Sequence, residues 1–94
     1  MNSSRKRKIQ ITNAFSRDLK KMPDEVKKNA YDTAVMLAED PFDERLRIKQ
    51  LTGFKKIFRV VILADYRMVY SFDNESIFLL KIDHRKDIYK NLEL

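Results

Sequence analysis

The stretch that decides the fold is KKIFRVVILADYRMVYSFDNESIFLLKIDHRKDIY, residues 55–89. It contains three runs rich in β-branched and aromatic residues, at 56–63, 66–72 and 76–83, separated by short polar breaks. The break at Asn74-Glu75 is two residues long, and because asparagine tolerates positive φ we predict a tight hairpin there. The break at Ala64-Asp65 joins the first two runs in the same antiparallel manner. The stretch therefore predicts a three-stranded meander.

A short strand and two helices are predicted ahead of the meander. Residues 8–12 alternate, with Ile9 and Ile11 on one side, as in a strand that pairs with the later sheet. Asn13 is the predicted cap of a first helix, and Pro23 begins a second helix that ends before Pro41. The apolar residues that recur at helical spacing are Phe15, Leu19 and Met22 in the first helix and Val26, Ala30, Ala34, Leu37 and Ala38 in the second. Residues 43–52 are predicted to form a connecting loop.

The order of these elements predicts an α+β fold. It has an N-terminal strand, an αα-hairpin and a three-stranded antiparallel meander, with the helices packed on one face of the sheet. We expect a single domain at residues 9–94, preceded by a flexible basic arm at residues 1–8. On the middle strand of the meander, alternation places Arg67 on the face opposite Met68 and Tyr70, and therefore away from the helices.

The composition excludes several classes of protein. The 94 residues include no cysteine, so disulfide frameworks and thiolate metal sites are absent. No apolar run is long enough to cross a membrane and no secretory signal is visible, so we expect a cytoplasmic protein. The net charge is +6, with 20 Lys and Arg against 14 Asp and Glu. Such a charge favours a polyanionic partner, although a lysine-rich surface also serves solubility alone.

Any catalysis in this chain must use Arg, Lys, Tyr and the single histidine, His84. These residues suit RNA cleavage, because the ribose 2′-hydroxyl is an internal nucleophile. The protein then has only to align it, stabilise charge on the phosphate and move protons, with no metal or cofactor. Arg67 and the group His84, Arg85 and Tyr89 are the candidates. The alternative for each is structural: a solvated arginine, an incidental histidine, or a tyrosine packed at the sheet edge.

As a whole, the sequence resembles the RelE/ParE toxin superfamily, and within it the RelE branch. The resemblance covers essentially everything after Lys8 and rests on three segments: residues 51–54 (LTGF), residues 65–70 (DYRMVY) and the closing residues 84–89 (HRKDIY). Members of this superfamily are small toxins of bacterial and archaeal toxin–antitoxin pairs, and RelE-like members cleave mRNA in the ribosomal A site. The resemblance therefore implies an mRNA endoribonuclease with an antitoxin and the ribosome as partners.

The resemblance also implies roles for particular residues. Arg67 matches the arginine that contacts the scissile phosphate, Arg85 one that stabilises the transition state or leaving group, and Tyr89 the tyrosine that orients or deprotonates the 2′-hydroxyl. For these roles, we expect the three side chains to converge around one exposed pocket. RelE-like enzymes often carry two alternating basic residues on the first meander strand. Here only Arg59, with Lys55 and Lys56 just before it, can take their place, so His84 is a further catalytic candidate. The residues expected to bind RNA through their charge are Lys55, Lys56, Lys81 and Lys86.

Two other functions fit the same resemblance. The first is a ParE-like toxin that poisons DNA gyrase without cleaving RNA. The second is a catalytically silent member that acts only with its antitoxin in a DNA-bound repressor complex. In all three cases the expected partner is a cognate antitoxin, and an acidic one would complement the positive charge.

Overall fold

The computed structural model describes residues 6–90, which form two helices and five strands. In chain order these are β1 (Lys8–Ile11), α1 (Asn13–Lys20), α2 (Asp24–Glu39), β2 (Ile48–Gln50), β3 (Phe58–Ile62), β4 (Tyr66–Phe72) and β5 (Ser76–His84). The strands make one sheet in the order β1-β5-β4-β3-β2, in which β1 and β5 are parallel and all other neighbours are antiparallel. The predicted α+β class and the meander are confirmed.

The helix boundaries follow local chemistry. Thr12, not Asn13, caps α1: its Oγ1 accepts a hydrogen bond from the Phe15 N–H at 3.1 Å. The predicted cap was therefore wrong by one residue, because Asn13 is the first helical residue. Helix α2 starts directly after Pro23 and stops at Asp40, whose extended backbone precedes a proline as predicted.

The predicted loop at residues 43–52 was wrong in its second half, where β2 forms. Its residues pair antiparallel with β3, in the register Ile48 with Val60, Lys49 with Arg59 and Gln50 with Phe58. Three residues with a single β-branched side chain give too weak a local signal to predict a strand. The strand is held by its neighbour.

The two meander turns work by different means. In the β4–β5 turn, Asp73 Oδ1 accepts hydrogen bonds from the N–H groups of Glu75 and Ser76, both at 2.8 Å, and these bonds lower the pKa of Asp73. A positive φ was expected at Asn74, but Asn74 is not among the residues of 6–90 that have one. In the β3–β4 turn, by contrast, Leu63 and Ala64 have positive φ angles of 47° and 64°. That turn therefore stores the backbone strain of two non-glycine residues in the left-handed region.

The main core lies between the helices and one face of the sheet, the helix-covered face. The sheet residues buried there are Val60, Ile62, Met68, Tyr70, Ile77, Leu79 and Ile82, and they meet the apolar residues predicted for α1 and α2. Tyr70 is fully buried, and its hydroxyl donates a 2.7 Å hydrogen bond to the Pro41 carbonyl just after α2. Burial raises the pKa of Tyr70. This bond ties the end of α2 to the centre of the sheet.

A second, smaller core covers part of the opposite face, which we call the outer face. Its buried members are Leu51, Val69 and Ile88, with Phe54, Ile57 and Leu80 packed against them. Ile88 has no exposed surface although it lies beyond the last strand. Its burial holds the turn at residues 85–90 against the sheet, which fixes the position of the neighbouring Tyr89.

The predicted flexible arm, residues 1–8, falls mostly outside the described residues. Its last part is tied to the domain: Arg7 donates its backbone N–H to Ala38 and its Nε–H to the Asp73 carbonyl, at 2.9 and 2.7 Å. The Arg7 guanidinium also lies 5.4 Å from the centre of the Phe72 ring. Neither helix described in residues 6–90 is long and apolar enough to cross a membrane.

Candidate functional site

Two arginines occupy the outer face of the central strands. Arg59 on β3 stands opposite Val69 on β4, and Arg67 on β4 stands opposite Val61 on β3. The arginines are thus diagonal neighbours, a relation that places Cα atoms about 7–8 Å apart. The prediction that Arg67 points away from the helices agrees with the burial of its neighbours Met68 and Tyr70 on the other face.

A cavity of about 460 Å³ lies beside Arg59, between the β2 edge of the sheet and the C-terminal turn. It is lined by Lys49, Gln50, Leu51, Thr52, Phe54, Arg59 and Tyr89. Tyr89 is half exposed, so its ring forms a wall of the cavity while remaining open to solvent. Two predicted catalytic residues separated by 30 positions in the chain, Arg59 and Tyr89, therefore share one site.

Arg67 and Arg85 meet at the strained β3–β4 turn rather than in this cavity. Arg67 Nη1 donates to the carbonyls of Ala64 and Tyr66, at 2.6 and 3.0 Å. Arg85 donates its backbone N–H to the Asp65 carbonyl at 2.8 Å, and its Nε lies 3.5 Å from Asp65 Oδ1. Both guanidinium groups are thus anchored to one turn, and neither lines the cavity.

His84 lies on the other side of the sheet. It pairs with Tyr66 across β4 and β5, and the two rings meet edge to face with centroids 5.5 Å apart. Its Nδ1 accepts a hydrogen bond from the Lys86 backbone N–H at 3.2 Å. Because strand residues alternate, His84 faces away from Arg67, whose partner on β5 is Asp83. The structure does not bring His84 to the cavity.

The lysines expected to bind RNA are dispersed. Lys81 lies 3.6 Å from Asp18 of α1, and only 18% of its side chain is exposed, so its charge is already paired. Lys55 and Lys56 are exposed on the loop between β2 and β3, and Lys86 is exposed on the C-terminal turn. None of the four lines the cavity that contains Arg59 and Tyr89.

The sequence assigned no role to Lys49, which lines the cavity directly opposite Arg59. The pairing of Lys49 with Arg59 could be predicted only if β2 was recognised as a strand, because a lysine in a loop has no defined cross-strand partner. Within residues 6–90, no three His, Asp or Glu side chains are grouped closely enough to hold a metal ion.

Comparisons with known proteins agree with this architecture. The sequence matches the family described as "ParE toxin of type II toxin-antitoxin system, parDE" over residues 9–89. No sequence among the curated proteins matches the chain. Among solved structures, a chain of the RelBE2 toxin–antitoxin complex from Mycobacterium tuberculosis is 26% identical, with a TM-score of 0.71 over 87% of this chain and 94% of that one.

Two more distant structures share the fold. A chain of the RelB–RelE antitoxin–toxin complex from Methanococcus jannaschii is 21% identical, with a TM-score of 0.71 over 89% of this chain and 99% of that one. A chain of the YoeB dimer from Staphylococcus aureus is 13% identical, with a TM-score of 0.75 over 85% of this chain and 98% of that one. The family match spans nearly the whole described chain. The protein therefore belongs to the ParE toxin family of type II toxin–antitoxin systems, within the RelE/ParE superfamily.

Proposed function

We propose that this toxin is a metal-independent endoribonuclease that cleaves mRNA in the A site of the ribosome. The observation that carries the proposal is the cavity on the outer face, where Arg59 and Tyr89 line one open site. Arg67 lies outside the cavity as the diagonal neighbour of Arg59. A guanidinium and a phenol in a site of this size match the needs of a phosphodiester: charge stabilisation and proton transfer.

In the proposed reaction the substrate supplies its own nucleophile. The 2′-oxygen attacks the phosphorus, and the bond from phosphorus to the 5′-oxygen breaks. The products are a 2′,3′-cyclic phosphate and a 5′-hydroxyl end. The 2′-hydroxyl gives its proton to a base, and the 5′-oxygen receives one from an acid. We assign Tyr89 to proton transfer at the 2′-hydroxyl and Arg59 to the charge that grows on the phosphate.

Arg67 and Arg85 are proposed to join the phosphate only when RNA is bound. In the free protein they bind the carbonyls and carboxylate of the β3–β4 turn. A phosphate is a stronger acceptor for a guanidinium fork than a neutral carbonyl is. An RNA backbone on the outer face can therefore draw Arg67 off the Ala64 carbonyl.

The test is to induce the toxin without its antitoxin and map mRNA ends during translation. We expect cleavage to fall about 100-fold or more for Arg59→Ala and Tyr89→Phe, the range for loss of a charge-stabilising or proton-transfer group. Matched controls are Arg17→Ala and Tyr31→Phe, which change exposed residues on the helices. If both site variants cleaved like the parent, the assignment would be wrong.

A second function, poisoning of DNA gyrase, is favoured by one observation: Arg67 and Arg85 do not line the cavity. Gyrase supercoiling measured with the purified toxin separates it from RNA cleavage. Intact mRNA together with unimpaired gyrase would instead favour a silent member that acts as co-repressor with its antitoxin. We also propose a cognate antitoxin as the partner of this chain, since the relatives from M. jannaschii and M. tuberculosis are toxin–antitoxin complexes. The proposed location is the cytoplasm.

A further inference from the structure

Two positively charged side chains that line the cavity are cross-strand neighbours. Lys49 on β2 and Arg59 on β3 are directly opposite in the antiparallel register. Side chains in that relation have Cβ atoms about 4.5–5.5 Å apart, and like charges there destabilise a sheet. Within residues 6–90, neither cation lies within 4.0 Å of a carboxylate. Arg59 makes one hydrogen bond, from Nη1 to the Arg47 carbonyl at 3.3 Å. The pair is therefore open to an external anion.

The rest of the cavity suits a nucleotide attached to that anion. Leu51 and Phe54 supply apolar surface, and the exposed Thr52 adds a hydroxyl. Gln50 uses its Nε2 to donate to the Phe54 carbonyl at 3.4 Å, which leaves its side-chain oxygen available as an acceptor. An unstacked base can rest on such apolar surface while polar groups contact its edge.

We propose that Lys49 and Arg59 together bind one phosphodiester of single-stranded RNA, next to the bond that is cut, with the attached base in the cavity. This inference rests on the proposed RNA cleavage and adds a substrate-binding residue, Lys49, on an edge strand that carries none of the residues assigned from sequence. Lys49 holds the substrate and takes no part in proton transfer. A single strand fits a concave site of about 460 Å³ better than a duplex, whose bases stay stacked inside the helix.

The test measures binding without cleavage. The full-length toxin is titrated into a fluorescent single-stranded RNA whose 2′-hydroxyls are all methylated, so that no internal nucleophile exists, and anisotropy is followed across a series of KCl concentrations. We compare the parent with Lys49→Ala and Lys49→Arg. The control is Lys28→Ala, which removes an exposed lysine from α2, on the other side of the sheet.

We expect Lys49→Ala to weaken binding about 10-fold at low salt and to reduce the slope of log affinity against log salt by about 0.7, the value for one phosphate contact on a single strand. Lys49→Arg should restore both, and Lys28→Ala should change neither. Where cleavage is measurable, Lys49→Ala should raise KM and leave kcat unchanged, because the residue binds substrate and transition state alike.

The inference is overturned if Lys49→Ala matches the parent in affinity and salt slope, or if the parent binds no single-stranded RNA. It is also overturned if Lys49→Ala weakens binding to a duplex DNA of equal length as much as it weakens binding to the single-stranded RNA. The binding measurement does not depend on cleavage, because the methylated RNA cannot be cut. If the toxin binds the methylated RNA through Lys49 but cleaves no mRNA, the proposed nuclease activity is refuted and the proposed binding site is retained.

Discussion

Replacing Ile88 with alanine should separate the C-terminal turn from the sheet. Ile88 is fully buried against Leu51 and Val69, and it is the buried residue of the turn that carries Tyr89. The substitution removes every side-chain carbon beyond Cβ. At about 0.8 kcal/mol per buried carbon the transfer loss is about 2.4 kcal/mol, and the cavity left behind adds to it. We expect a total cost of about 3 kcal/mol.

Urea unfolding followed by far-ultraviolet circular dichroism measures this cost. A chain of this length has an m value of about 1.5 kcal/mol/M, within the usual range of about 1–3, so the midpoint should fall by about 2 M. The matched control is Ile11→Ala, since Ile11 is 56% exposed on the edge strand β1. That control should cost less than about 1 kcal/mol.

Hydrogen exchange tells local opening from global unfolding. The Ile88 N–H donates to the His84 carbonyl at 3.0 Å, so its protection reports whether the turn stays docked. In Ile88→Ala we expect this amide to exchange faster than those of β4. If the proposed mRNA cleavage depends on Tyr89 in the cavity, cleavage should fall as well. Equal midpoints and equal protection in Ile88→Ala and Ile11→Ala would refute the claim that the second core positions Tyr89.

Three further predictions concern the scaffold. Tyr70→Phe should lower the free energy of unfolding by about 1–3 kcal/mol, because it leaves the Pro41 carbonyl without its donor; a change below 0.5 kcal/mol in a urea titration would contradict this. Ala64→Gly should stabilise the protein by about 1 kcal/mol, because glycine relieves the strain at φ 64°; a lowered thermal midpoint would oppose it. Hydrogen bonds from Arg45 lower the pKa of Asp43 from 3.8 to about 2. The stability that this carboxylate contributes is therefore complete above pH 4 and lost as the pH falls towards 2, so Asp43→Asn should flatten the acid limb of the stability curve over that interval.

The sequence predicted what depends on local periodicity. Alternation along β4 correctly separated Arg67 from Met68 and Tyr70, because a strand has a period of two. The stripe in α2 from Val26 to Leu37 was buried as expected, because helical spacing presents one face to the sheet.

The remaining features depend on contacts between segments far apart in the chain. β2 exists because β3 pairs with it, and Lys49 meets Arg59 only in that register. Tyr89 reaches the cavity because Ile88 packs on Val69, a contact that no local pattern records. Arg67, Arg85 and Tyr89 do not converge on one pocket as predicted. The two arginines bind the β3–β4 turn, while Tyr89 lines the cavity with Arg59.

The parallel pairing of β1 with β5 has a consequence for biosynthesis. Lys8 through Ile11 find their partners at Ser76 through Leu79, near the other end of the chain. A ribosome must therefore synthesise the chain as far as β5 before β1 can pair in the sheet, and such distant pairings slow folding. Before β5 is made, the helices lack part of the sheet face that buries their apolar residues, so we expect the core of a nascent chain to form only after β5 has left the ribosome.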